Sequence, residues 1–381
     1  MVELKTKMVV VTSRVRALGV IGLNGKDSLT NNDLNILKRR LNSMSQKSSA
    51  LENKKDFNMK TRRLGTTDLY LSAIGIGTWP MGGPGRIGWG PQDDKDSITS
   101  IRRGLERGIN WIDTAPNYGL GHSEEVVGMA IKGISPKPII ATKCLFMWKP
   151  DGTQVMRLDR ERVRIQCENS LKRLDIDAID MYMIHAPNPI EYVEEAWETF
   201  IDLKKEGKVR WIGVSRFSIE QMELIKTIHP IAFLEPPYSM LEREAEERLL
   251  DYCQKNDIGV VVYSPLQQGL LTGAIKSIDD LAPDDLRRRN PHFKEPEFSA
   301  NLNLARELVP IASKYGRSVA QLAIAWVLRR PEVTSAITGP RVPTEIEDTI
   351  KAGGWELIKE DIAAIEKLLA KRQEALNSAR K

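Results

Sequence analysis

Cysteine and histidine are scarce in this 381-residue chain, which narrows the metal and redox chemistry available to it. Its three cysteines and four histidines lack the CxxC and HExxH spacings that are typical of zinc sites. The cysteines also lack the dense, even pattern of a disulfide-stapled domain, which favours a reducing compartment. No apolar run reaches the roughly 18 residues that a membrane-spanning helix requires. We therefore expect a cytoplasmic protein without a bound metal and without a membrane partner.

An excess of positive charge is confined to the first part of the chain. The formal net charge is +5, and residues 1–58, with eleven Lys or Arg against five Asp or Glu, account for +6. The remaining residues carry about −1 and lack the basic surface that nucleic-acid binding needs. We expect no nucleic-acid partner.

Residues 1–58 form a polar, basic extension for which three interpretations stay open. It is a flexible tail, an organelle-targeting segment, or non-native sequence upstream of a start at Met59. We favour a poorly structured or spurious extension, because acidic residues occur in it and its amphipathic pattern is weak. The folded domain is expected to span residues 59–381.

From Met59 onward, short β-branched runs alternate with longer segments of 3.6-residue periodicity. Glycines such as Gly108 and Gly207 mark the ends of predicted helices. This alternation predicts a parallel sheet, either closed into a barrel or open. The predicted strands cover residues 73–77, 109–113, 138–144, 178–184, 209–214, 231–234, 258–262 and 334–337, and the predicted helices cover 95–107, 123–132, 159–174, 191–206, 218–227, 244–256 and 319–328.

A phosphate-binding signature distinguishes the two kinds of sheet. Open dinucleotide-binding folds carry GxGxxG after their first strand, with an acidic residue about 20 positions later. Here the first strand ends in GIGTW at residues 75–79 and a long loop follows, so the pattern does not fit. The sequence therefore predicts an α/β fold of the (β/α)8 barrel type.

Chemically useful side chains stand at the ends of three successive predicted strands, where a barrel places its active site. Asp113 ends the second strand with Tyr118 in the loop behind it, Lys143 ends the third and His185 ends the fourth. This set suits carbonyl reduction, in which hydride reaches the carbon and the oxygen needs a proton. A phenol gives that proton when a nearby cation eases its ionisation, so Tyr118 is the candidate acid and Lys143 the cation. Asp113 would hold the ammonium, and His185 would orient the carbonyl oxygen.

Four segments resemble the aldo-keto reductase family: NWIDTAPNYG at residues 110–119, IIATK at 139–143, MYMIHAP at 181–187 and IGVS at 212–215. The resemblance extends from about Met59 to about Leu369, with the segments in order. It implies that the four side chains named above are the catalytic residues. It also implies a nicotinamide cofactor bound across the barrel mouth without a Rossmann domain, and a hairpin at residues 59–72 that caps the barrel bottom.

The same resemblance assigns residues to the nicotinamide cofactor. Ser215 and the two following strand ends surround the nicotinamide, Tyr263 stacks on its ring, and residues 263–273 resemble the loop that wraps the pyrophosphate. Arg341 lies beside a helix that begins near Pro343, where it is placed to clamp an adenosine 2′-phosphate. The full candidate set is Thr78, Trp79, Ser215, Arg216, Glu235, Tyr263, Ser264, Leu266, Gln268, Gly269, Gly339, Arg341 and Glu345.

The choice between NADP and NAD depends on two side chains near the start of that helix. Arg341 favours NADP because a guanidinium matches a phosphate. Glu345 is the contrary signal, since a carboxylate repels a 2′-phosphate and accepts hydrogen bonds from ribose hydroxyls. We expect NADP, as NADPH, and keep NAD as the alternative.

Two positions depart from the pattern of most relatives. Arg216 stands where they have Asn, and Glu235 where they have Gln, at positions that normally hold the nicotinamide carboxamide. Because the two strands are neighbours, we hypothesise that Arg216 and Glu235 form an ion pair. If they do not, Arg216 is available to the pyrophosphate or to an acidic substrate.

Two long loops are expected to shape the substrate pocket, at residues 79–90 and 267–299. The second loop contains charge runs at residues 284–285 and 287–289, which are typical of a solvated lid. The candidate pocket side chains are Trp79, Trp89, Phe146, Met147 and Trp148.

Together these features predict an NADP-dependent oxidoreductase that reduces aldehyde or ketone carbonyls by direct hydride transfer, with Tyr118 as the general acid. In reverse it would oxidise the matching alcohols or sugars, so its partner is a small carbonyl or sugar substrate. The alternative is a regulatory protein similar to the potassium-channel beta subunits, which resemble the same family and carry a basic N-terminal extension. Cofactor turnover distinguishes the two, and the sequence leaves the oligomeric state open.

Overall fold

A computed structural model describes residues 59–83, 90–149, 153–283 and 285–379. The extension predicted at residues 1–58 lies outside the described residues, as do Trp89 and Asp284. The domain boundary at Met59 therefore stays a prediction. No helix in the described part of the chain is both long enough and apolar enough to cross a membrane.

Eight parallel strands close into a barrel. The strands of the described residues are β1 (Thr61–Arg63), β2 (Tyr70–Ser72), β3 (Ile74–Gly77), β4 (Trp111–Asp113), β5 (Ile139–Cys144), β6 (Phe146–Trp148), β7 (Gln154–Met156), β8 (Ile179–Ile184), β9 (Val209–Ser215), β10 (Phe233–Glu235), β11 (Gly259–Val262) and β12 (Val333–Thr338). The barrel runs from β3 through β4, β5 and β8 to β12, which pairs with β3 and closes the sheet. The predicted (β/α)8 barrel is confirmed, and each predicted strand lies within two residues of its observed ends.

Side chains along each barrel strand alternate between the interior and the surrounding helices. Trp111 points inward and packs in one core with Met181 and Phe233. Ile112 belongs to the larger core between the barrel and the helices. Because both faces of the strands are buried, their sequences are nearly continuous apolar runs.

The hairpin of β1 and β2 closes the N-terminal end of the barrel. Its residues Leu64 and Leu71 are fully buried and pack against the interior side chains Trp111 and Met181. The turn needs Gly65, because its φ of +50° is left-handed and a Cβ there would lie 2.5 Å from a backbone oxygen. The capping hairpin expected at residues 59–72 is confirmed.

Helices follow the barrel strands in the predicted order. Those of the described residues are α1 (Asp94–Glu106), α2 (His122–Ile131), α3 (Arg160–Leu174), α4 (Val193–Lys205), α5 (Ile219–Lys226), α6 (Leu249–Lys255), α7 (Glu297–Ser313), α8 (Val319–Leu328), α9 (Pro343–Thr349) and α10 (Lys359–Ala379). Ser218 begins α5 with a capping box that includes Gln221. Every residue of α8 is buried, and all of them except Gln321 are apolar, as is typical of a helix that is enclosed by the core.

Three elements were not predicted from the sequence: the antiparallel β6–β7 hairpin and the helices α7 and α10. α7 contains Pro310, which removes a backbone donor from a helix interior. Its buried face, which includes Phe298, Leu302 and Leu308, packs into the main core and outweighs that local cost.

Candidate active site

A cavity of about 720 Å³ opens at the carboxyl ends of the barrel strands. Asp113, His185 and Glu235 line it from β4, the end of β8 and β10, and Tyr118 lines it from the loop after β4. The cavity extends to Arg341, next to the start of α9. This end of the barrel is where the active sites of such folds are built.

The structure brings the four candidate catalytic side chains together. The Nζ atom of Lys143 lies 2.5 Å from Oδ1 of Asp113 and 3.1 Å from the carbonyl oxygen of Thr114. The same Nζ atom is 5.4 Å from the centre of the Tyr118 ring. That ring meets the imidazole of His185 edge to face, with centroids 6.1 Å apart. An amine, an acid, a phenol and an imidazole therefore share one site.

A tight turn fixes the position of Tyr118. The turn Tyr118–Gly121 contains Gly119 with a φ of +61°. A Cβ at Gly119 would lie 2.0 Å from the carbonyl oxygen of Gly82, so only glycine permits this close approach. The turn places the Tyr118 ring beside Trp79, with centroids 6.5 Å apart.

Burial and neighbouring charges set the proton affinities in the site. Burial alone would lower the pKa of Lys143, but the carboxylates of Asp113 and Glu235 outweigh it and raise that pKa. Burial raises the pKa of Tyr118, and the ammonium of Lys143 opposes this shift. Burial, followed by the Lys143 charge, lowers the pKa of His185 well below its ordinary value. At neutral pH the site therefore holds an ammonium, a neutral phenol and a neutral imidazole.

Glu235 presents a second carboxyl group to the same ammonium. Its Oε1 atom lies 3.5 Å from Nζ of Lys143, and its side chain is 4% exposed. Its Oε2 atom is buried without a hydrogen-bond donor among the described residues. The carboxyl groups of Glu235 and Asp113 lie within hydrogen-bonding reach of each other. Burial first, and the Asp113 charge second, raise the pKa of Glu235 to about 8.

The hypothesis that Arg216 and Glu235 form an ion pair is wrong. Glu235 lies opposite Ser215 in the register of β10 and β9, and its side chain points into the barrel toward Lys143. Arg216 follows the end of β9 with a φ of +61°, which turns its side chain away. Its guanidinium lies over the ring of Tyr263, 5.3 Å from the centroid. The hydrogen bond between the two residues is a backbone one, from Arg216 N to Glu235 O at 3.2 Å.

Most of the candidate cofactor residues line the cavity. Thr78 and Ser215 are not among the lining residues. Their buried hydroxyls donate to the backbone oxygens of Asp113 and Glu235. These two hydroxyls support the neighbouring strand ends. The candidates that line the cavity are Trp79, Arg216, Glu235, Tyr263, Ser264, Leu266, Gln268, Gly269, Gly339, Arg341 and Glu345.

The loop after β11 turns sharply beside the cavity. Four of its residues, Ser264, Gln267, Gln268 and Gly269, have positive φ angles between 44° and 98°. Turns of this kind gather backbone N–H groups into a concave surface that suits an anion. This geometry supports the expected role of the loop at the pyrophosphate.

The charge runs that were expected to form a solvated lid are instead largely engaged with the protein. The side chains of Asp285 and Arg287 are only 7% and 14% exposed and pair at 2.7 Å. Arg287 also lines the cavity and donates to the carbonyl oxygen of Gln268 at 3.3 Å. Arg288 donates to the carbonyl oxygen of Ile278 at 2.8 Å. These bonds fasten the loop, so the prediction of a solvated lid is wrong for these three residues.

Arg341 is held in place beside the cavity. Its Nε atom donates to Oε1 of Gln92 at 3.0 Å, and its Nη2 atom donates to the carbonyl oxygen of Pro91 at 2.7 Å. The backbone N–H of Arg341 donates to the carboxylate of Glu345 at 2.7 Å. The guanidinium is therefore preoriented, and the carboxylate is engaged with the backbone before α9.

The cavity lining includes residues that were not identified from the sequence, among them Asn117 and Gln154. Asn117 is buried and directly precedes Tyr118, so its place in the motif was a usable signal. Gln154 lies on β7, in the hairpin that no sequence pattern predicted.

The aromatic side chains expected at the pocket are only partly there. Trp79 and Phe146 line the cavity, and Phe146 meets the His185 ring edge to face with centroids 5.3 Å apart. Met147 and Trp148, on the same strand as Phe146, are not among the lining residues. The alternation of side chains along β6 explains the difference for Met147.

Comparison with known sequences agrees with this site. The model of the aldo/keto reductase family matches residues 73–370. Aldo-keto reductase YhdN of Bacillus subtilis is 42% identical over 315 residues, which cover 82% of this chain and 94% of that protein. The NADH-specific methylglyoxal reductase of Escherichia coli is 34% identical, over 77% of this chain and 93% of that protein.

Solved structures show the same similarity. A glycerol dehydrogenase from Gluconobacter oxydans aligns with a TM-score of 0.75 and 35% identity, over 82% of this chain and 95% of that one. An aldo/keto reductase from Klebsiella pneumoniae in complex with NADP and acetate aligns with a TM-score of 0.64 and 29% identity, over 82% of this chain and 96% of that one. The chain therefore belongs to the aldo/keto reductase family and is a nicotinamide-dependent oxidoreductase.

Proposed function

We propose that this protein is an NADPH-dependent reductase of small aldehydes and ketones, and that in reverse it oxidises the matching alcohols or sugars. One observation carries the proposal. Tyr118 lines the cavity, and the ammonium of Lys143 lies 5.4 Å from the centre of its ring. Asp113 holds that ammonium through a contact of 2.5 Å. A cation at this place favours the phenolate that remains after proton donation.

The bound cofactor would supply the hydride, while Tyr118 and His185 act on the carbonyl oxygen and the other two catalytic residues support Tyr118. Tyr118 donates its proton to that oxygen, because its raised pKa keeps it protonated at neutral pH. Lys143 stabilises the resulting phenolate, and Asp113 holds the ammonium. His185 is a neutral imidazole and donates a second hydrogen bond to the carbonyl oxygen.

The residues around the cavity fit a dinucleotide that carries a 2′-phosphate. The ring of Tyr263 offers a flat face to a nicotinamide, and the loop at residues 264–269 offers a concave backbone to a pyrophosphate. Arg341 presents a preoriented guanidinium to the phosphate. Glu345 was the signal against NADP, but its carboxylate accepts a hydrogen bond from the backbone N–H of Arg341.

The relatives differ in their cofactors. The Klebsiella pneumoniae relative holds NADP, whereas the Escherichia coli relative is named NADH-specific. Arg341 leads us to assign NADP here.

Aromatic side chains narrow the catalytic end of the cavity, which favours compact substrates. Trp79 lies beside Tyr118, and Phe146 lies against His185. Together they flank the two groups that meet the carbonyl oxygen. The names of two relatives include methylglyoxal and glycerol, which are small molecules of this kind.

Consumption of NADPH with a panel of aldehydes and ketones tests the proposal, with polyols and NADP as the reverse assay. Turnover that is faster with NADPH than with NADH at equal concentration supports it. A protein that binds NADPH but consumes none with any carbonyl would be regulatory, which is the alternative raised by the similarity to potassium-channel beta subunits.

We also assign the protein to the cytoplasm. Its three cysteines are buried and unpaired, as is usual in reducing compartments. Secretion of the native protein with an intramolecular disulfide would contradict this assignment.

A further inference from the structure

Lys143 is enclosed by two acids that reach it from opposite sides of the barrel. Asp113 stands on β4, next to β5, whereas Glu235 stands on β10, across the interior. Their oxygens lie 2.5 Å and 3.5 Å from the same Nζ atom. Lys143 is fully buried and the two acids are nearly so, so water screens the three charges only weakly.

One ammonium neutralises only one of these carboxylates. A second ionised carboxylate without a counter-ion is strongly disfavoured in a buried site, and such groups keep their proton. Asp113 has the shorter contact to Nζ and keeps the charge. Among the described residues, Oε2 of Glu235 has no hydrogen-bond donor. The carboxyl group of Glu235 also lies within hydrogen-bonding reach of the carboxyl group of Asp113. Two carboxyl groups in contact need a proton between them.

We infer that Glu235 is a positioning residue that holds a proton against Asp113 and thereby sets the pH range in which Tyr118 exchanges its own proton. The inference rests on the proposed function of Tyr118. The raised pKa of Glu235, which is caused by burial and then by the Asp113 charge, agrees with it. Most relatives were expected to have Gln here, a side chain of the same shape that cannot ionise.

Charged and titratable groups face Glu235 from several elements. Asp113 and Lys143 face it from β4 and β5, and Tyr118 from the loop after β4. Tyr263 follows β11 and also senses the Glu235 charge. Arg216, after β9, contacts Glu235 through its backbone N–H. The ammonium is the nearest of these charges that favours the ionised form of Glu235.

Loss of the Glu235 proton to solvent changes the chemistry of Tyr118. An ionised Glu235 adds negative charge beside Lys143 and raises the pKa of the phenol. The phenol is then a weaker acid for carbonyl reduction, and its phenolate forms only at higher pH for alcohol oxidation. Reduction should therefore decline as pH rises through the ionisation of Glu235.

Infrared difference spectroscopy of the protein without cofactor tests the proton directly. The wild type should show the carbonyl-stretch band of a protonated buried carboxyl at pH 7, and the band should disappear in mildly alkaline solution. The band should be missing at pH 7 from Glu235→Gln. It should also be missing from Asp113→Asn, in which Glu235 becomes the counter-ion of Lys143 and ionises. A Glu235→Gln spectrum that keeps the full band would overturn the inference.

The pH profiles of kcat provide the second readout. Glu235→Gln should move the rising limb of alcohol oxidation to lower pH by about one unit, and Glu235→Asp, which restores an acid, should move it back toward the wild type. Superimposable profiles for wild type and Glu235→Gln would overturn the inference. If the protein has no carbonyl turnover, the proposed function fails, while the infrared titration still decides whether Glu235 holds the proton.

Discussion

The ammonium of Lys143 and the carboxylate of Asp113 form a contact of 2.5 Å inside a barrel where neither side chain exceeds 4% exposure. This pair supplies the positive charge next to Tyr118. Burial first, and the same charge second, lower the pKa of His185 and keep that imidazole neutral. Removing the ammonium is therefore expected to change activity and the pH dependence of stability together.

Lys143→Met removes the charge at nearly constant volume and leaves Asp113 and Glu235 without a cation. The kcat of carbonyl reduction should fall by at least about 10²-fold, because the phenolate of Tyr118 loses its counter-charge. Both carboxyl groups already have pKa values raised by burial. Their contribution to stability is present below their unfolded pKa values of about 4 and is lost as pH rises.

Denaturant unfolding at about pH 5 and pH 8 measures this effect of Lys143→Met. The variant should lose more stability between the two pH values than the wild type, in which the ammonium offsets one carboxylate. Lys205→Met, at a site that is 73% exposed, is the matched control and should follow the wild type. Parallel curves for both variants would exclude a buried charge cluster.

His185→Gln tests whether the imidazole is neutral. A depressed folded pKa means that His185 contributes stability above its unfolded pKa of about 6.5, and that this contribution is lost as pH falls. The wild type should therefore lose more stability than His185→Gln between about pH 7 and pH 5. Urea unfolding at each pH measures the difference.

His122→Gln is a control for which the expected change of stability with pH has the opposite sign. The contact with Asp94 raises the pKa of His122, so its contribution is present at low pH and lost as pH rises. Acidification from about pH 7 to pH 5 should therefore favour the wild type over this variant. If acidification changes the stability of both His variants relative to the wild type in the same direction, His185 is not buried in its neutral form.

Gly119→Ala tests the turn that positions Tyr118. The new methyl group would meet the carbonyl oxygen of Gly82, so the turn must move and carry the phenol with it. We expect at least a tenfold loss of kcat for reduction, since a displacement of about 1 Å is enough for such losses. Gly316→Ala has the same φ of +61° but open space around its Cβ, and should cost some stability without loss of kcat. Equal effects of the two variants on kcat would refute this role of the turn.

Arg341→Gln tests the choice of cofactor. Loss of the guanidinium should weaken NADPH binding by about tenfold or more, the value of one charge-assisted contact, and leave NADH binding within about twofold. Fluorescence titration with each cofactor measures both. Arg306→Gln, a surface change on α7, is the control and should leave both affinities unaltered. A similar loss for both cofactors in Arg341→Gln would argue against a contact with the 2′-phosphate.

Much of this site was predictable because a parallel barrel brings the ends of its strands to one place. Asp113, Lys143 and His185 were each identified as the last polar residue of an apolar run, and the structure brings them together. The strands were predicted to within two residues because both faces of each strand are buried, so each strand is a short apolar run with clear ends.

Side-chain direction after a strand end was not predictable in this way. The neighbouring positions of Arg216 and Glu235 suggested an ion pair, but a positive φ at Arg216 sends the two side chains apart. Arg287 belongs to a charge run that looks solvated, yet its partners Asp285 and Gln268 bury it. These outcomes depend on local backbone angles and on contacts within loops. Neither of them produces a periodic pattern of apolar residues in the sequence.

The central claim is that the hydroxyl of Tyr118 protonates the carbonyl oxygen, and Tyr118→Phe removes that group while keeping the ring. Single-turnover reduction with saturating NADPH should slow by about 10² to 10⁴-fold in this variant, with NADPH affinity within about twofold of the wild type. Tyr70→Phe, at a site that is 58% exposed on the capping hairpin, should react like the wild type. A wild-type rate in Tyr118→Phe would contradict the account.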